Sequence, residues 1–66
     1  MSRQIKQDRE SIASMLQHLA ARNREVASIL YGFAPVVPEC EKAYKSLDAQ
    51  AARLEAFAKA VVQTNA

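Results

Sequence analysis

Residues 32–38 read Gly-Phe-Ala-Pro-Val-Val-Pro, and this short stretch divides the chain into two parts. It holds the only glycine, Gly32, and the only two prolines, Pro35 and Pro38. A proline disfavours helical dihedral angles in the residue before it, so a helix that reaches this stretch is expected to end there. The stretch therefore predicts a single connection between two long segments that lack any other helix breaker.

The segment before the connection repeats an apolar residue at every seventh position. The members of this column are Ile5, Ile12, Leu19, Val26 and Phe33. Leu16 and Leu30 add apolar side chains at four-residue spacing, and Met15 and Ile29 widen the apolar arc. Apolar residues that recur at three and four places indicate a helix that packs lengthwise, and a wide arc is typical of a helix bundle. We predict that the sevenfold column packs against the second helix.

The segment after the connection carries a second column with the same spacing. Its members are Cys40, Tyr44, Leu47, Ala51, Leu54, Ala58 and Val61. Pro38 suits the first position of a helix, where its missing N–H is not needed. Glu39 and Glu41 then place negative charge at the positive end of the helix dipole. The sequence therefore predicts a second lengthwise-packing helix.

The two columns together predict one domain, 1–66, of the all-α class. We expect a two-helix antiparallel hairpin with a helix over about 2–31, an apolar connection over 32–37 and a helix over about 38–63. Ser2 is a suitable cap for the first helix, and Gly32 is expected to end it in the left-handed conformation.

A hairpin of 66 residues buries little apolar surface, and chains of this size usually need a further source of stability. Cys40 is the only cysteine and His18 the only histidine, which excludes an internal disulfide and a Cys/His metal site. No metal and no cofactor are expected. Association remains, either with a second copy or with another protein, and it would complete a four-helix bundle.

Six apolar side chains are candidates for binding such a partner. Phe57 and Val62 lie beside the predicted column of the second helix, where an aromatic side chain normally has something to cover it. The connection is unusually apolar, with Tyr31, Phe33 and the pair Val36 and Val37. The side chains of the connection either cover the end of the core or form an exposed tip that docks into a partner.

Asn23 interrupts the apolar arc of the first helix between Leu16 and Leu30. A polar residue inside such a column commonly fixes register or oligomeric state, at some loss of stability. The alternative is that the helix rotates locally and Asn23 meets solvent. A neighbouring column of small residues, which includes Ala20 and Ala27, would allow another helix to approach closely.

Composition and motifs give no sign of an enzyme. No glycine-rich phosphate loop, catalytic pair or membrane-length apolar run is present. We expect no secretory signal, because the first ten residues are charged and amphipathic. We therefore expect a cytoplasmic protein that takes no small-molecule substrate. The formal charge is only +2, and Arg3, Lys6 and Arg9 alternate with Asp8 and Glu10. A nucleic-acid partner, which needs a continuous basic face, is therefore the less favoured hypothesis.

The second helix contains the pattern Y-x-x-L-x-x-Q-A-x-x-L-E. Its residues are Tyr44, Leu47, Gln50, Ala51, Leu54 and Glu55. This pattern resembles the second helix of the small E-type cochaperones of type III secretion needle subunits, which are also helical hairpins. The resemblance covers about twelve residues and does not extend to the first helix, and the Pro-flanked connection departs from the shorter turn of that family. It implies a cytoplasmic chaperone that keeps a needle subunit from polymerising early.

The residues alone predict a non-enzymatic, protein-binding hairpin that acts as a small adaptor, chaperone or inhibitor. A needle cochaperone is one alternative, and a phage- or plasmid-encoded regulator that blocks a host protein is another. The third is a dimeric RNA- or DNA-binding helical bundle.

Overall fold

The computed structural model describes residues 2–63, with side chains from residue 5 onward, and these residues form two antiparallel helices without a strand. Helix α1 spans Ser2–Phe33 and helix α2 spans Glu39–Gln63. At the closed end the ring of Tyr31 meets that of Tyr44 edge-on, with centroids 5.2 Å apart. At the open end Arg9 contacts the last turns of α2. The prediction of an all-α hairpin is confirmed, while the side chain of Ser2, the predicted cap, lies outside the described residues.

The connection differs from the expected turn, because α1 continues through Gly32 to Phe33. No described residue has a positive φ, so the prediction of a left-handed Gly32 is wrong. The chain turns just after Gly32, where the carbonyl oxygen of Phe33 accepts hydrogen bonds from the N–H groups of Val36, at 3.0 Å, and Val37, at 2.8 Å. Pro35 has no N–H to extend the helical ladder, and the chain therefore bends around it rather than at the glycine.

One face of α1 is turned towards α2, and we call it the contact face. Its members are Arg9, Ala13, Leu16, Ala20, Asn23, Ala27, Leu30 and Ala34. Small and larger side chains alternate along it at four- and three-residue spacing, and Ala20 is completely buried. Opposite them the column predicted for α2 does face α1, with Ala51 and Ala58 fully buried and Leu47 and Leu54 partly so.

The column predicted to hold α1 against α2 does not do so. Its five members are among the exposed large apolar residues, and Leu19 in its centre is 55% exposed. Four of them directly precede an alanine of the contact face, namely Ile12, Leu19, Val26 and Phe33. Ile5 precedes Lys6, which lies seven residues before Ala13. The two columns share one spacing, and the column of smaller side chains is the one that lets the helix backbones approach. The prediction about Ile5, Ile12, Leu19, Val26 and Phe33 was therefore wrong by one step around the helix.

The alanines allow a close helix pair. The Cα atoms of the molecule fill a box of 54 × 13 × 10 Å. Since the Cα cylinder of one helix is about 4.6 Å wide, the 13 Å dimension leaves no more than about 8 Å between the two axes. That spacing lies at the short end of the usual range of 8–10 Å. The hairpin is therefore held by backbones in close approach rather than by large interlocking side chains.

Candidate protein-binding surface

A line of large apolar side chains runs along the outside of α1, and we call it the apolar stripe. Its members are Ile5, Ile12, Met15, Leu19, Val26, Ile29 and Phe33, all of them exposed. Their spacing is that of a heptad column in which two positions, Asp8 and Arg22, are charged. The stripe therefore has the pattern of a second helix-packing face, and its members keep 40–61% of their surface exposed.

The stripe and the contact face are neighbours on one helix. Leu19 directly precedes Ala20, and Val26 directly precedes Ala27. Successive residues of an α-helix are about 100° apart, since one turn takes 3.6 residues. The stripe is therefore turned by about a quarter of a circle from the direction of α2, and a further helix can pack on it without displacing α2.

Phe57 of α2 lies on the same side of the hairpin as the stripe. Arg24 follows the contact residue Asn23, Glu55 follows the contact residue Leu54, and these two charged side chains meet on one side. On both helices, a residue that directly precedes a contact residue must then lie on the opposite side of the hairpin. Leu19 precedes Ala20 on α1, and Phe57 precedes Ala58 on α2, so both lie on that side. Phe57, which is 57% exposed, therefore extends the apolar surface of the stripe onto α2.

The six predicted partner-binding residues do not form one site. Phe33 and Phe57 lie on the side of the stripe, separated by roughly 25 Å along the hairpin axis. Tyr31 and Val62 each follow a contact residue and lie on the other side. Val36 and Val37 belong to the connection, where Val36 is 80% exposed. Val36 is thus on an exposed tip, whereas Tyr31 contacts Tyr44 at the end of the helix pair, and a role of the connection in binding stays a prediction.

Sequence reasoning missed that the α1 column is itself exposed. The signal was present in the sequence, because Met15 and Ile29 complete the three- and four-residue spacing of that column but cannot also face α2. A shallow groove on the outside of α1 borders the stripe, and it is lined by Met15, His18, Leu19, Ala21, Arg22 and Glu25. An elongated surface of this type suits an apolar helix of a partner better than a compact ligand.

Asn23 lies in the contact face, between the buried Ala20 and Ala27. Its side chain is partly exposed and makes no hydrogen bond with the described residues. In the described part of the chain every buried side-chain N or O atom has a hydrogen-bond partner, so the unpaired amide of Asn23 must be accessible to water. A role for Asn23 in register stays a prediction.

The side opposite the stripe carries an ion-pair cluster that joins the helices. Arg24 donates from Nη2 to Oε1 of Glu55 at 2.6 Å and from Nε to Oε2 at 3.2 Å. Asp48 lies 4.0 Å from Nη1 of the same guanidinium. These hydrogen bonds, and then the charge of the neighbour, lower the pKa of Glu55 and raise the pKa of Arg24. One side of the hairpin thus carries charged groups that pair with one another, and the opposite side carries exposed apolar side chains.

The basic residues near the start of α1 do not form a free cluster. The guanidinium of Arg9 donates a hydrogen bond of 3.2 Å to the carbonyl oxygen of Val61, near the C-terminal end of α2. This contact satisfies a carbonyl and places positive charge at the negative end of the helix dipole. Lys6 is exposed, and the side chain of Arg3 lies outside the described residues.

The hairpin exposes more surface than a compact protein of its mass. Its accessible surface is 5350 Å². A folded monomer of 7.3 kDa is expected to expose about 4,200 Å². Within the described residues no large side chain is fully buried. The excess, about 1,200 Å², is comparable to the roughly 800 Å² that each partner contributes to an ordinary protein interface.

Comparison with known proteins finds no matching family model, and no curated protein or solved structure with significant similarity. The described helices include none that is long and apolar enough to cross a membrane. Residues 2–63 also bring no three His, Cys, Asp or Glu side chains together in a group that could hold a metal ion.

Proposed function

We propose that this chain is a non-enzymatic protein-binding hairpin whose apolar stripe holds a helix of a partner protein. The observation that carries the proposal is the exposure of a heptad-spaced line of large apolar side chains on a helix whose other face is already packed. Exposed apolar patches of this extent on small proteins mark interaction sites. Adaptor, chaperone and inhibitor are the activities that such a surface serves by covering or presenting a helix.

The surface favours a helical partner over an extended one. Side chains that recur at three and four places match the anchors with which an amphipathic helix binds a groove. The hairpin offers no sheet edge among its described residues to which an extended peptide could add. Phe57 widens the surface on the side of α2, so that a partner helix would lie along the stripe between the two helices.

Most residues of the pattern that resembles needle cochaperones make contacts within the hairpin. Tyr44, Leu47 and Leu54 belong to the α2 column that faces α1, and Glu55 binds Arg24. A secretion cochaperone and a phage- or plasmid-encoded regulator are both settings in which a hairpin with an uncovered apolar stripe would act by the proposed mechanism. Genomic neighbourhood is the observation that separates them.

Site-specific photo-cross-linking in cells that naturally express the protein tests the proposal. A photoreactive phenylalanine analogue replaces Phe57 in one variant and Met15 in a second. The control carries the analogue at Gln17, which is exposed on the outer surface of the same helical turn as Met15. We expect protein adducts from Phe57 and Met15 and none from Gln17. Equal adduct patterns from all three positions, or none from any, would refute the proposal.

A second pair of variants ties the adducts to the stripe. Leu19→Gln removes the central apolar side chain, whereas Ser14→Gln places the same side chain on the outside of α1, away from the stripe and its groove. We expect Leu19→Gln to suppress the adducts and Ser14→Gln to leave them. Circular dichroism at rising protein concentration checks that Leu19→Gln still forms helix. Adducts that persist in a folded Leu19→Gln variant would show that the stripe does not bind the partner.

A further inference from the structure

The two charged positions of the stripe say more about the partner of the stripe and its orientation than the apolar positions do. Asp8 and Arg22 are both exposed, and neither has a hydrogen-bonding or ion-pair partner among the described residues. On the other side of the hairpin Arg24 and Glu55 are paired with each other. One acidic and one basic side chain, unpaired and in line with apolar residues, are what a charge-selective helix interface requires.

The opposite charges select one orientation if the partner is an identical helix. In a parallel pair of α1 helices Asp8 would face Asp8 of the other copy, and Arg22 would face Arg22. In an antiparallel pair Asp8 of each copy lies level with Arg22 of the other, so two opposite-charge pairs form about a two-fold axis. Like charges held opposite each other are unfavourable and suppress the parallel arrangement.

The same register overlaps the apolar side chains. Met15 lies midway between Asp8 and Arg22, and the midpoint of α1 lies between Gln17 and His18. An antiparallel pair centred in this region therefore overlaps the two α1 helices over nearly their whole length. The apolar stripe of one copy then lies along that of the other, and the interface is self-complementary, as a two-fold contact must be.

We infer that the stripe binds a second copy of this chain, with the two α1 helices antiparallel and Asp8 of each copy paired with Arg22 of the other. The inference rests on the proposed function and names the partner. The surplus surface supports it, since the about 1,200 Å² in excess of a compact monomer is enough for the share of one partner in a stable interface. The product is a four-helix bundle in which the two α1 helices meet and each α2 stays packed on its own α1.

Charge exchange tests the pairing in the purified protein. Asp8→Arg places Arg opposite Arg22 at two points of the antiparallel dimer, and we expect the dimer Kd to rise roughly tenfold or more. The double variant Asp8→Arg, Arg22→Asp restores opposite charges and should return Kd to within about threefold of the wild type. Sedimentation equilibrium measures both constants. Asp8→Asn together with Arg22→Gln serves as a neutral control for effects on helix stability.

Each of the other outcomes overturns the inference. Wild-type protein that stays monomeric up to about 1 mM has no self-association of the required strength. A dimer with the same Kd in the single and double charge variants does not contain the inferred pairs. A dimer that is weakened by Asp8→Arg and not rescued by the double variant has lost helix stability rather than a pairing.

Distances between spin labels test the orientation independently. Ser28→Cys, made in a Cys40→Ser background, places one label near the end of each α1 and outside the stripe. In the antiparallel dimer the two labels are roughly 40 Å apart along the axis, because each lies about thirteen residues from the two-fold at Met15. A parallel dimer would bring them within about 20 Å of each other, since packed helix axes are 8–10 Å apart. A short distance at Ser28 would overturn the inference.

The failure of this inference is distinguishable from failure of the proposed function. If the purified chain is a monomer while photo-cross-linking at Met15 joins it to a different protein, the stripe binds protein but not a second copy. If adducts are absent at Met15 and at Phe57, the stripe has no protein partner of either kind.

Discussion

The two faces of α1 differ in what they contain and in what they contact. The contact face places alanine at every seventh position and meets α2, whereas the apolar stripe carries larger side chains and meets solvent. Ala20 is fully buried and its neighbour Leu19 is not. Side-chain size, rather than hydrophobicity, thus decides which face packs inside the hairpin. Small residues let two backbones come close, and the larger ones are left to bind something else.

The largest expected effect comes from enlarging a residue of the contact face. Ala20→Leu adds a bulky side chain where the helices are in closest approach, and we expect it to lower the free energy of unfolding by about 1–3 kcal/mol. Ala21→Leu makes the same change on the outer surface, where the free energy should shift by less than about 0.5 kcal/mol. Urea unfolding at one fixed protein concentration gives both values. Equal losses in the two variants would mean that the contact face is not tightly packed.

A smaller and opposite effect is expected at the polar residue of the contact face. Asn23→Leu replaces an amide by an apolar side chain between two buried alanines, and we expect a gain of roughly 1 kcal/mol in the free energy of unfolding. If Asn23 also fixes register, the variant should populate more than one oligomeric state, which native mass spectrometry would detect. Gln17→Leu is the matched change on the outside of α1. If Asn23→Leu changes neither stability nor oligomeric state, Asn23 is only a solvent-facing residue.

The smallest effect concerns the side of the hairpin opposite the stripe. The pKa of Glu55 is lower in the folded hairpin than its ordinary value of 4.5, because Arg24 hydrogen-bonds its charged form. The unfolded chain therefore takes up the proton first as the pH falls. The stabilisation by this pair is complete well above pH 4.5 and disappears as the pH falls through the folded pKa.

Thermal unfolding at several pH values measures this contribution in the wild type and in Glu55→Gln. We expect a slightly lower unfolding temperature for the variant at neutral pH and convergence of the two proteins in acid, because both partners are largely exposed and water screens the pair. A difference that stays constant from neutral to acidic pH would show that Glu55 acts by packing rather than by charge.

The sequence was sufficient for the fold and for one of the two helix faces. Two columns separated by a Pro-containing connection predicted the hairpin, and the α2 column was assigned to the correct face because it is the only one of its kind on that helix. On α1 the pattern was ambiguous. Leu19 and Ala20 belong to columns with identical spacing, and periodicity alone favoured the more hydrophobic of them. Only the approach distance of two backbones favours alanine, and a single sequence does not contain that distance.

The sequence predicted that the hairpin exposes apolar side chains, but it did not predict on which side of the hairpin they lie. Phe57 was correctly identified as lying outside the predicted α2 column, and its role in binding stays a prediction. The side of the hairpin that Phe57 shares with Leu19 follows from handedness and from the antiparallel pairing of Arg24 with Glu55. The turn at Phe33 was missed because a glycine near a helix end suggests a left-handed residue. Here Pro35, which has no N–H, ends the helical ladder instead, and the N–H groups of Val36 and Val37 satisfy the carbonyl of Phe33.

The rod shape of the hairpin affects how its assembly must be measured. Its radius of gyration is 15.4 Å. A compact chain of 66 residues would have about 11 Å, and a radius of 15.4 Å corresponds to a compact protein of about 170 residues. In gel filtration, which sorts molecules by hydrodynamic size, a single hairpin would therefore elute ahead of the volume calibrated for a compact chain of its length. Elution volume alone would overstate its mass, and a method that weighs the particle is needed to count the copies.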